Sequence, residues 1–81
     1  MKYFAYFLRC ADGTLYAGYT TDVERRVLEH NAGTGAKYTS SKRPVELIYS
    51  EEFPSKSMAM KREAEFKSWK RAEKLSFLAS R

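Results

Sequence analysis

The sequence is poor in the residues that build disulfide scaffolds, metal clusters and membrane spans. Its 81 residues include one cysteine, Cys10, and one histidine, His30. A single cysteine excludes an internal disulfide, and one cysteine with one histidine lacks the spacing of a zinc or haem site, so Cys10 is predicted to be a small strand residue. No apolar run approaches the ~20 residues of a membrane span, and no signal-like cleavage site follows the apolar N-terminal stretch. We therefore expect a cytoplasmic protein with no membrane partner.

Aromatic residues, by contrast, are abundant. They make up 15% of the chain, including six Tyr and five Phe, and hydrophobic residues make up 43%. This composition is too apolar for a disordered basic peptide and indicates a folded globule. The length and the lack of an internal repeat predict one small domain, residues 1–81, with a modest core.

The net charge of +5 favours polyanionic partners, although many small basic domains bind none. The stretch Gly33–Pro44 is more specific, because it interleaves Lys37, Lys42 and Arg43 with Tyr38 and several hydroxyl residues. Such a loop suits contacts with phosphates and stacking on bases or sugars. Composition alone fits an ordinary solvated loop equally well.

The N-terminal residues predict a β-hairpin. The strand pattern "KYFAYFLRC" and the second strand "TLYAGY" flank an Asp-Gly turn. A three-residue loop, Ala11–Gly13, would pair Tyr6 with Gly18 and place Tyr6 and Tyr16 on one face of the sheet. A two-residue turn would instead pair Tyr6 with Tyr19 and send Tyr16 to the opposite face. We predict the three-residue loop.

A helix is predicted after the hairpin. Thr21 and Glu24 have the spacing of a capping box, and Gly33, just beyond Asn31, is a plausible stop signal.

The phase of this helix separates two adjacent arginines. At about 100° per residue, Val23, Val27 and His30 form one narrow stripe. Arg26 lies on the edge of that stripe, whereas Arg25 points to nearly the opposite side. Arg25 is therefore predicted to be a solvated surface charge, and Arg26 to need an anion or a carboxylate where the helix meets the sheet.

The remaining sequence predicts a third strand and two helices. Residues Pro44–Ser50 alternate like a strand, a helix begins at Ser55 or Ser57, and a shorter final helix packs Leu75 and Leu78. The predicted fold is α+β, with a small, mainly antiparallel three-stranded sheet flanked by helices in the order β-β-α-β-α-α.

Glu63 is the most informative acid in the sequence. It shares a helical stripe with Ala59 and Phe66, whereas Glu65 falls on the polar side. A carboxylate on an apolar face is costly unless it is paired, hydrogen-bonded or bound to a metal. A structural ion pair between Arg26 and Glu63 is one way to meet this requirement.

These residues together resemble the GIY-YIG endonuclease domain over nearly the whole chain. The resemblance consists of "FAY" (Phe4–Tyr6), "YAG" (Tyr16–Gly18), Arg26, His30 and Glu63, in that order and spacing. Phrases such as "RCADGTLYAGYT" and "AMKREAEFK" look like the small stand-alone bacterial members of the superfamily, most of them uncharacterised. The chain is more distantly similar to junction-resolving nucleases and to the 3′-incising domain of bacterial nucleotide excision repair.

The resemblance implies a DNA phosphodiester hydrolase, acting on branched or damaged DNA, with a single Mg²⁺ or Mn²⁺ ion. Tyr16 would be the general base for water, assisted or replaced by Tyr6. Arg26 would hold the scissile phosphate, because guanidinium is always cationic and binds phosphate oxygens bidentately. Glu63 would ligate the metal. His30 would hydrogen-bond a tyrosine hydroxyl or the phosphate, and its alternative role is that of a hydrogen-bonded core histidine.

The two tripeptides that give the family its name differ here. Phe4 replaces the first glycine and Ala5 and Ala17 replace the two isoleucines, while Gly18 is retained. No appended DNA-binding domain is evident, so a protein partner that supplies substrate targeting is a further expectation. The sequence leaves open a metal-dependent endonuclease, a nucleic-acid-binding module with little or no cleavage, and a protein-interaction domain.

Overall fold

The computed structural model describes all of residues 1–81. The strands are β1 (Tyr3–Arg9), β2 (Leu15–Thr20) and β3 (Glu46–Phe53). The helices are α1 (Val23–Asn31), α2 (Lys37–Ser40), α3 (Lys56–Ser68) and α4 (Arg71–Ala79). This confirms the α+β fold and the order β-β-α-β-α-α, with α2 as an additional single turn inside the stretch predicted to be a loop. None of the helices is both long and apolar enough to cross a membrane.

The three strands form one antiparallel sheet in the order β2-β1-β3. Tyr6 pairs with Gly18 and Leu8 with Tyr16. The backbone N–H of Cys10 donates to the carbonyl of Thr14 at 2.8 Å, which closes the three-residue loop. The predicted register is therefore confirmed. Because alternate residues of a strand share a face, Tyr6 and Tyr16 lie on the same side of the sheet.

The third strand differs from its prediction at both ends. It begins two residues later, at Glu46, and continues three residues further, to Phe53. Its pairing with β1 contains an irregularity, since Phe7 faces Tyr49 while the next residue, Leu8, faces Leu47. Such a bulge interrupts the alternation of side chains, which is the pattern from which the strand was predicted.

The central strand β1 supplies side chains to two apolar clusters, one on each face of the sheet. Ala5 and Phe7 join Ala17 and Phe66 under α3 and α4. The cluster on the other face consists of four buried residues, Tyr6, Leu8, Cys10 and Val45. Tyr16 and Val27 pack against it. Cys10 lies just beyond β1 as a buried, free thiol.

The helix ends show where local sequence signals operate. The N-cap of α1 is Asp22, whose carboxylate accepts from the Arg25 N–H at 3.1 Å. The predicted Thr21 cap is therefore wrong by one residue, because Asp22 offers the better-placed oxygen. Gly33 follows α1 with a φ of 85°, as expected for a stop glycine, and Ser55 caps α3.

The last helix packs through a different residue than predicted. Leu75 is 44% exposed, whereas Phe77 and Leu78 pack against the cluster beneath α3 and α4.

Candidate active site

His30 lies at the centre of a buried hydrogen-bonded chain. Helix α1 brings the imidazole against the sheet, where the Tyr6 hydroxyl lies 3.1 Å from Nε2. On the other side of the ring, Nδ1 lies 2.7 Å from the hydroxyl oxygen of Thr39 in α2. Tyr6, His30 and Thr39 are all buried, so their side-chain polar atoms need partners within the protein for their hydrogen bonds.

The partners of Thr39 indicate the tautomer of His30. The Thr39 hydroxyl donates its proton to the carbonyl of Ala36 at 3.0 Å. Its oxygen is then free to accept from Nδ1–H, which leaves Nε2 to accept from the Tyr6 hydroxyl. The Ala36 N–H approaches Nδ1 only to 3.4 Å, so we assign the proton on Nδ1 from the shorter contact with Thr39.

Burial lowers the pKa of His30, and the nearby Arg26 guanidinium lowers it further, against a smaller opposing effect of Glu29. The imidazole is therefore neutral at neutral pH. A neutral ring with an unprotonated Nε2 is suited to hold the Tyr6 hydroxyl and is too buried to contact a phosphate.

Two glycines make room for this chain. A Cβ on Gly18 would lie 2.4 Å from the Tyr6 hydroxyl oxygen, and one on Gly35 would lie 2.5 Å from His30 Nδ1. Both distances are far below ordinary van der Waals contact. Gly18 is therefore required by close approach of a side chain rather than by its backbone conformation.

Burial raises the pKa of Tyr6 to about 12. The Arg26 guanidinium opposes this rise, while the charges of Tyr16 and Glu63 add to it. The effect of burial outweighs that of the Arg26 charge. At neutral pH the Tyr6 hydroxyl is protonated.

The two adjacent arginines of α1 differ in the way that helix phase predicts. The Arg26 side chain is 29% exposed and the Arg25 side chain 55%. Arg26 Nη1 donates to Glu29 at 2.8 Å, and this hydrogen bond raises the pKa of Arg26. Arg26 is thus a cation at the edge of the site, with Glu29 as its partner in place of Glu63.

Glu63 projects from α3 with a side chain only 19% exposed, and its partner is Lys67, at 3.3 Å. No group of three or more His, Cys, Asp or Glu side chains could hold a metal ion. Mg²⁺ keeps several waters and is commonly bound by one or two carboxylates together with substrate phosphates. A lone carboxylate fits a cation that binds jointly with a substrate, so Glu63 could hold one in that way.

Tyr16 lies at the open side of the site, between two aromatic neighbours. Its ring is 5.2 Å from the His30 ring and stacks on Tyr38 at 5.8 Å between centroids. The Lys67 ammonium lies 5.6 Å from the Tyr16 centroid, and Lys42 lies 5.0 Å from that of Tyr38. Tyr38 is 48% exposed and continues the site outward.

The basic residues predicted to contact nucleic acid have different surroundings. Lys37 is exposed at the start of α2. Lys42 forms an ion pair with Asp12 at 2.8 Å, and this pair lowers the pKa of Asp12. Arg43 Nε donates to the carbonyl of Ser40 at 2.8 Å. Lys42 and Arg43 therefore also stabilise the segment that carries Tyr38.

Sequence reasoning missed three residues of this site. Thr39 and Gly35 lie in a segment without periodicity, and no local pattern pointed to their contact with His30. Lys67 was detectable, because it follows Glu63 by four residues, the spacing of a helical ion pair.

Known proteins with similar sequences and structures cover the whole of this chain. A UPF0213 protein of Natronomonas pharaonis is 60% identical over 77 residues, covering 95% of this chain and 91% of its own. A UPF0213 protein of Staphylococcus haemolyticus is 52% identical over 80 residues, covering 99% and 98%. The solution NMR structure of the UPF0213 protein BH0048 from Bacillus halodurans superposes with a TM-score of 0.66 at 43% identity, covering 100% of this chain and 86% of that one.

A second NMR structure, of the protein EF2693 from E. faecalis, has a TM-score of 0.65 at 48% identity and covers 99% of this chain and 85% of that one. A family model described as the GIY-YIG catalytic domain matches residues 2–76. Because this match spans nearly the whole chain, the chain belongs to the GIY-YIG family.

Proposed function

We propose that this protein is a metal-dependent endonuclease that hydrolyses DNA phosphodiester bonds, with branched or damaged DNA as its substrate. One observation carries the proposal: the sheet, α1 and α3 bring hydroxyl and charged side chains to one place. The Tyr6 hydroxyl lies 3.1 Å and the Tyr16 ring 5.2 Å from His30, which follows Arg26 by one helical turn. On α3, Lys67 pairs with Glu63 and lies over the Tyr16 ring. Hydrolysis of a phosphodiester needs a cation for the growing charge on phosphorus, a proton acceptor for water and positive charge near the leaving oxygen. The convergent residues are of the types that meet these needs.

Arg26 is the proposed phosphate ligand. It is permanently charged, partly desolvated and held at the site edge by Glu29, which a phosphate would share or displace. Bidentate contact with two phosphate oxygens would orient the phosphorus for attack and offset the charge that develops on it.

The two tyrosines have unequal proposed roles. Water attacks phosphorus and the bond from phosphorus to the leaving oxygen breaks. The Tyr16 oxygen takes up the water proton as its own hydroxyl proton passes to solvent, and the leaving oxygen takes up a proton from solvent. Tyr6 is buried and protonated, so we assign it a positioning role through its hydrogen bond to His30. A divalent cation held by Glu63 and the substrate would supply positive charge near the leaving oxygen.

A second candidate is a nucleic-acid-binding module of the same fold with little or no cleavage. It is favoured by the ion pair between Glu63 and Lys67, which already neutralises the carboxylate that would hold the metal. In that case Arg26 and the basic residues from Lys37 to Arg43 would act only as phosphate contacts. A protein partner would supply targeting in either case.

Cleavage of supercoiled, branched and single-stranded DNA in Mg²⁺ or Mn²⁺ separates the two candidates. We expect Arg26→Ala and Glu63→Gln to lower the cleavage rate by about 10²- to 10³-fold. Arg25→Ala is a matched control, since it removes the adjacent and more exposed guanidinium, which lies 3.6 Å from Glu29, and leaves the shorter Arg26–Glu29 pair in place; cleavage should stay near the wild-type rate. Equal residual nicking by wild type, Arg26→Ala and Glu63→Gln would contradict the nuclease proposal. Salt-sensitive binding without cleavage would then support the binding module.

A further inference from the structure

The net charge of the protein is concentrated at its C-terminal end. Residues 67–81 contain five basic residues and one acidic residue, a net charge of +4. Residues 1–66 contain ten basic and nine acidic residues, a net charge of +1. Most of the excess positive charge therefore belongs to the end of α3 and to α4, outside the segment that the sequence pattern singled out.

Four of these basic residues cluster where α3 meets α4. We call this cluster the basic corner; it consists of Lys67, Lys70, Arg71 and Lys74. Lys70 and Lys74 are separated by four residues and Arg71 and Lys74 by three, so they are neighbours on one side of α4. Lys70, Arg71 and Lys74 take part in none of the protein's ion pairs. Glu73, the one acid among them, accepts from the backbone N–H of Lys70 at 2.7 Å.

The basic corner adjoins the candidate active site through two contacts. The Lys67 ammonium lies 5.6 Å from the centroid of the Tyr16 ring. Arg71 Nη1 donates to the carbonyl of Gly13, in the turn between β1 and β2, at 3.2 Å. The corner therefore lies along the β2 edge of the sheet, and Tyr38, with Lys42 over its ring, stacks on the same Tyr16.

The alternative of a membrane surface fits the corner poorly. A helix that lies on a membrane inserts a free apolar face below the headgroups. In α4 the side chains of Phe77 and Leu78 pack against the buried cluster under α3 and are not free to insert.

We propose that the basic corner is a second binding surface for the phosphodiester backbone, so that a nucleic acid bound at Tyr16 continues along the β2 edge to α4. This inference rests on the proposed function for the position of the substrate, and it names a surface that is separate from Arg26 and from the segment containing Lys37 and Tyr38. Lys70 and Lys74 contact backbone phosphates that flank the cleaved bond, and they act independently of base sequence.

The test is binding measured in EDTA, where no cleavage occurs, by fluorescence anisotropy of labelled duplex DNA over a range of salt concentrations. We compare wild type with the double variant Lys70→Gln/Lys74→Gln, which leaves the Arg71 contact with Gly13 in place. Two lost phosphate contacts should reduce the slope of log K against log salt by about 2 and weaken binding at low salt by about tenfold or more. Single-stranded DNA and RNA of the same sequence form separate arms that distinguish the source of the backbone.

The matched control is Lys56→Gln/Lys61→Gln, which removes the same charge from two exposed, unpaired lysines in the first half of α3. It should leave the slope near the wild-type value. An equal loss in both double variants, an unchanged slope in Lys70→Gln/Lys74→Gln, or binding only to phosphatidylglycerol vesicles would overturn the proposal. Because binding is measured without metal, a protein that binds through the corner but fails to cleave would refute the nuclease proposal and leave this one standing.

Discussion

The buried hydroxyl of Tyr6 illustrates how much of this site depends on single atoms. It hydrogen-bonds to the only histidine of the chain, and it fits only because Gly18 has no Cβ. Burial raises its pKa to about 12, so it is protonated over the whole physiological range. Tyr16, on the same face of the sheet, is only partly buried, and it is the tyrosine to which we propose to assign the proton transfer.

At the same scale, protonation of His30 should destabilise the fold. Burial is the main cause that lowers its pKa from 6.5, so the folded protein binds the proton more weakly than the unfolded chain. The free energy of unfolding should therefore be unaffected by His30 above pH ~6.5. Below this pH it should fall, by at most about 1.4 kcal/mol per pH unit. Urea unfolding at about pH 7 and pH 5 measures this fall.

Protonation of carboxylates should lower the free energy of unfolding in a separate, lower pH range. Asp12 and Glu51 also have lowered pKa values, but their ordinary values are 3.8 and 4.5, so their contribution is lost mainly below about pH 5. The imidazole NMR signal of His30 follows its protonation directly. A His30 that titrates at or above 6.5 in the folded protein would contradict the prediction, and His30→Gln should remove the dependence between about pH 7 and 5.

At the scale of elements, α3 joins the site to the core. Glu63 faces the site, while the next residue towards the N-terminus, Arg62, donates to Glu51 of β3 at 2.8 Å. The Arg62 guanidinium also lies over Phe66 and Phe77, at 4.7 and 5.4 Å from the ring centroids. One side chain thus connects β3, α3 and α4 and holds the helix that positions Glu63.

Arg62→Ala should lower the free energy of unfolding by about 1–3 kcal/mol, because it leaves the partly buried Glu51 without a cationic partner and removes the cation from the aromatic rings. Urea unfolding followed by circular dichroism measures the change. Arg25→Ala is the control, since an exposed helical ion pair contributes no more than about 0.5 kcal/mol. An Arg62→Ala protein as stable as Arg25→Ala would show that the contacts of Arg62 do not hold α3 in place.

At the scale of the whole molecule, β1 couples the two sides of the sheet. Phe7 contributes to the cluster under α3 and α4, and Tyr6 and Leu8 contribute to the cluster under α1. All three side chains are fully or almost fully buried, so neither cluster can lose β1 without exposing the other. The predicted single domain of residues 1–81 should therefore unfold as one unit.

Two natural probes test this cooperativity. The only tryptophan, Trp69, packs against the first cluster, and the only histidine, His30, lies on the side of the second. We expect Trp69 fluorescence and the His30 NMR signal to give the same midpoint in urea, as a two-state domain requires. Separate midpoints would contradict a single domain and would show that one side of the sheet unfolds independently of the other.

Much of the fold could be predicted because its signals are local. The loop length between β1 and β2 decided the register, and the period of α1 separated Arg25 from Arg26. The ends of β3 were not predictable, since they are set by how far this strand pairs with β1, from Arg9–Glu46 to Tyr3–Phe53. The packing of Phe77 rather than Leu75 likewise depends on how α4 meets Phe66.

The sequence by itself determined the element order, the shared face of Tyr6 and Tyr16, and the position of Arg26 at the edge of the helix stripe, because these follow from backbone periodicity and turn length. Only the tertiary structure decided that Arg26 pairs with Glu29 of its own helix rather than with Glu63 of α3, and that Thr39 supports His30. These choices depend on distances between elements in three dimensions. The basic corner depends on both sequence and tertiary structure. Its charges are evident from the sequence, and its position beside Tyr16 is set by the packing of α3 and α4 along β2.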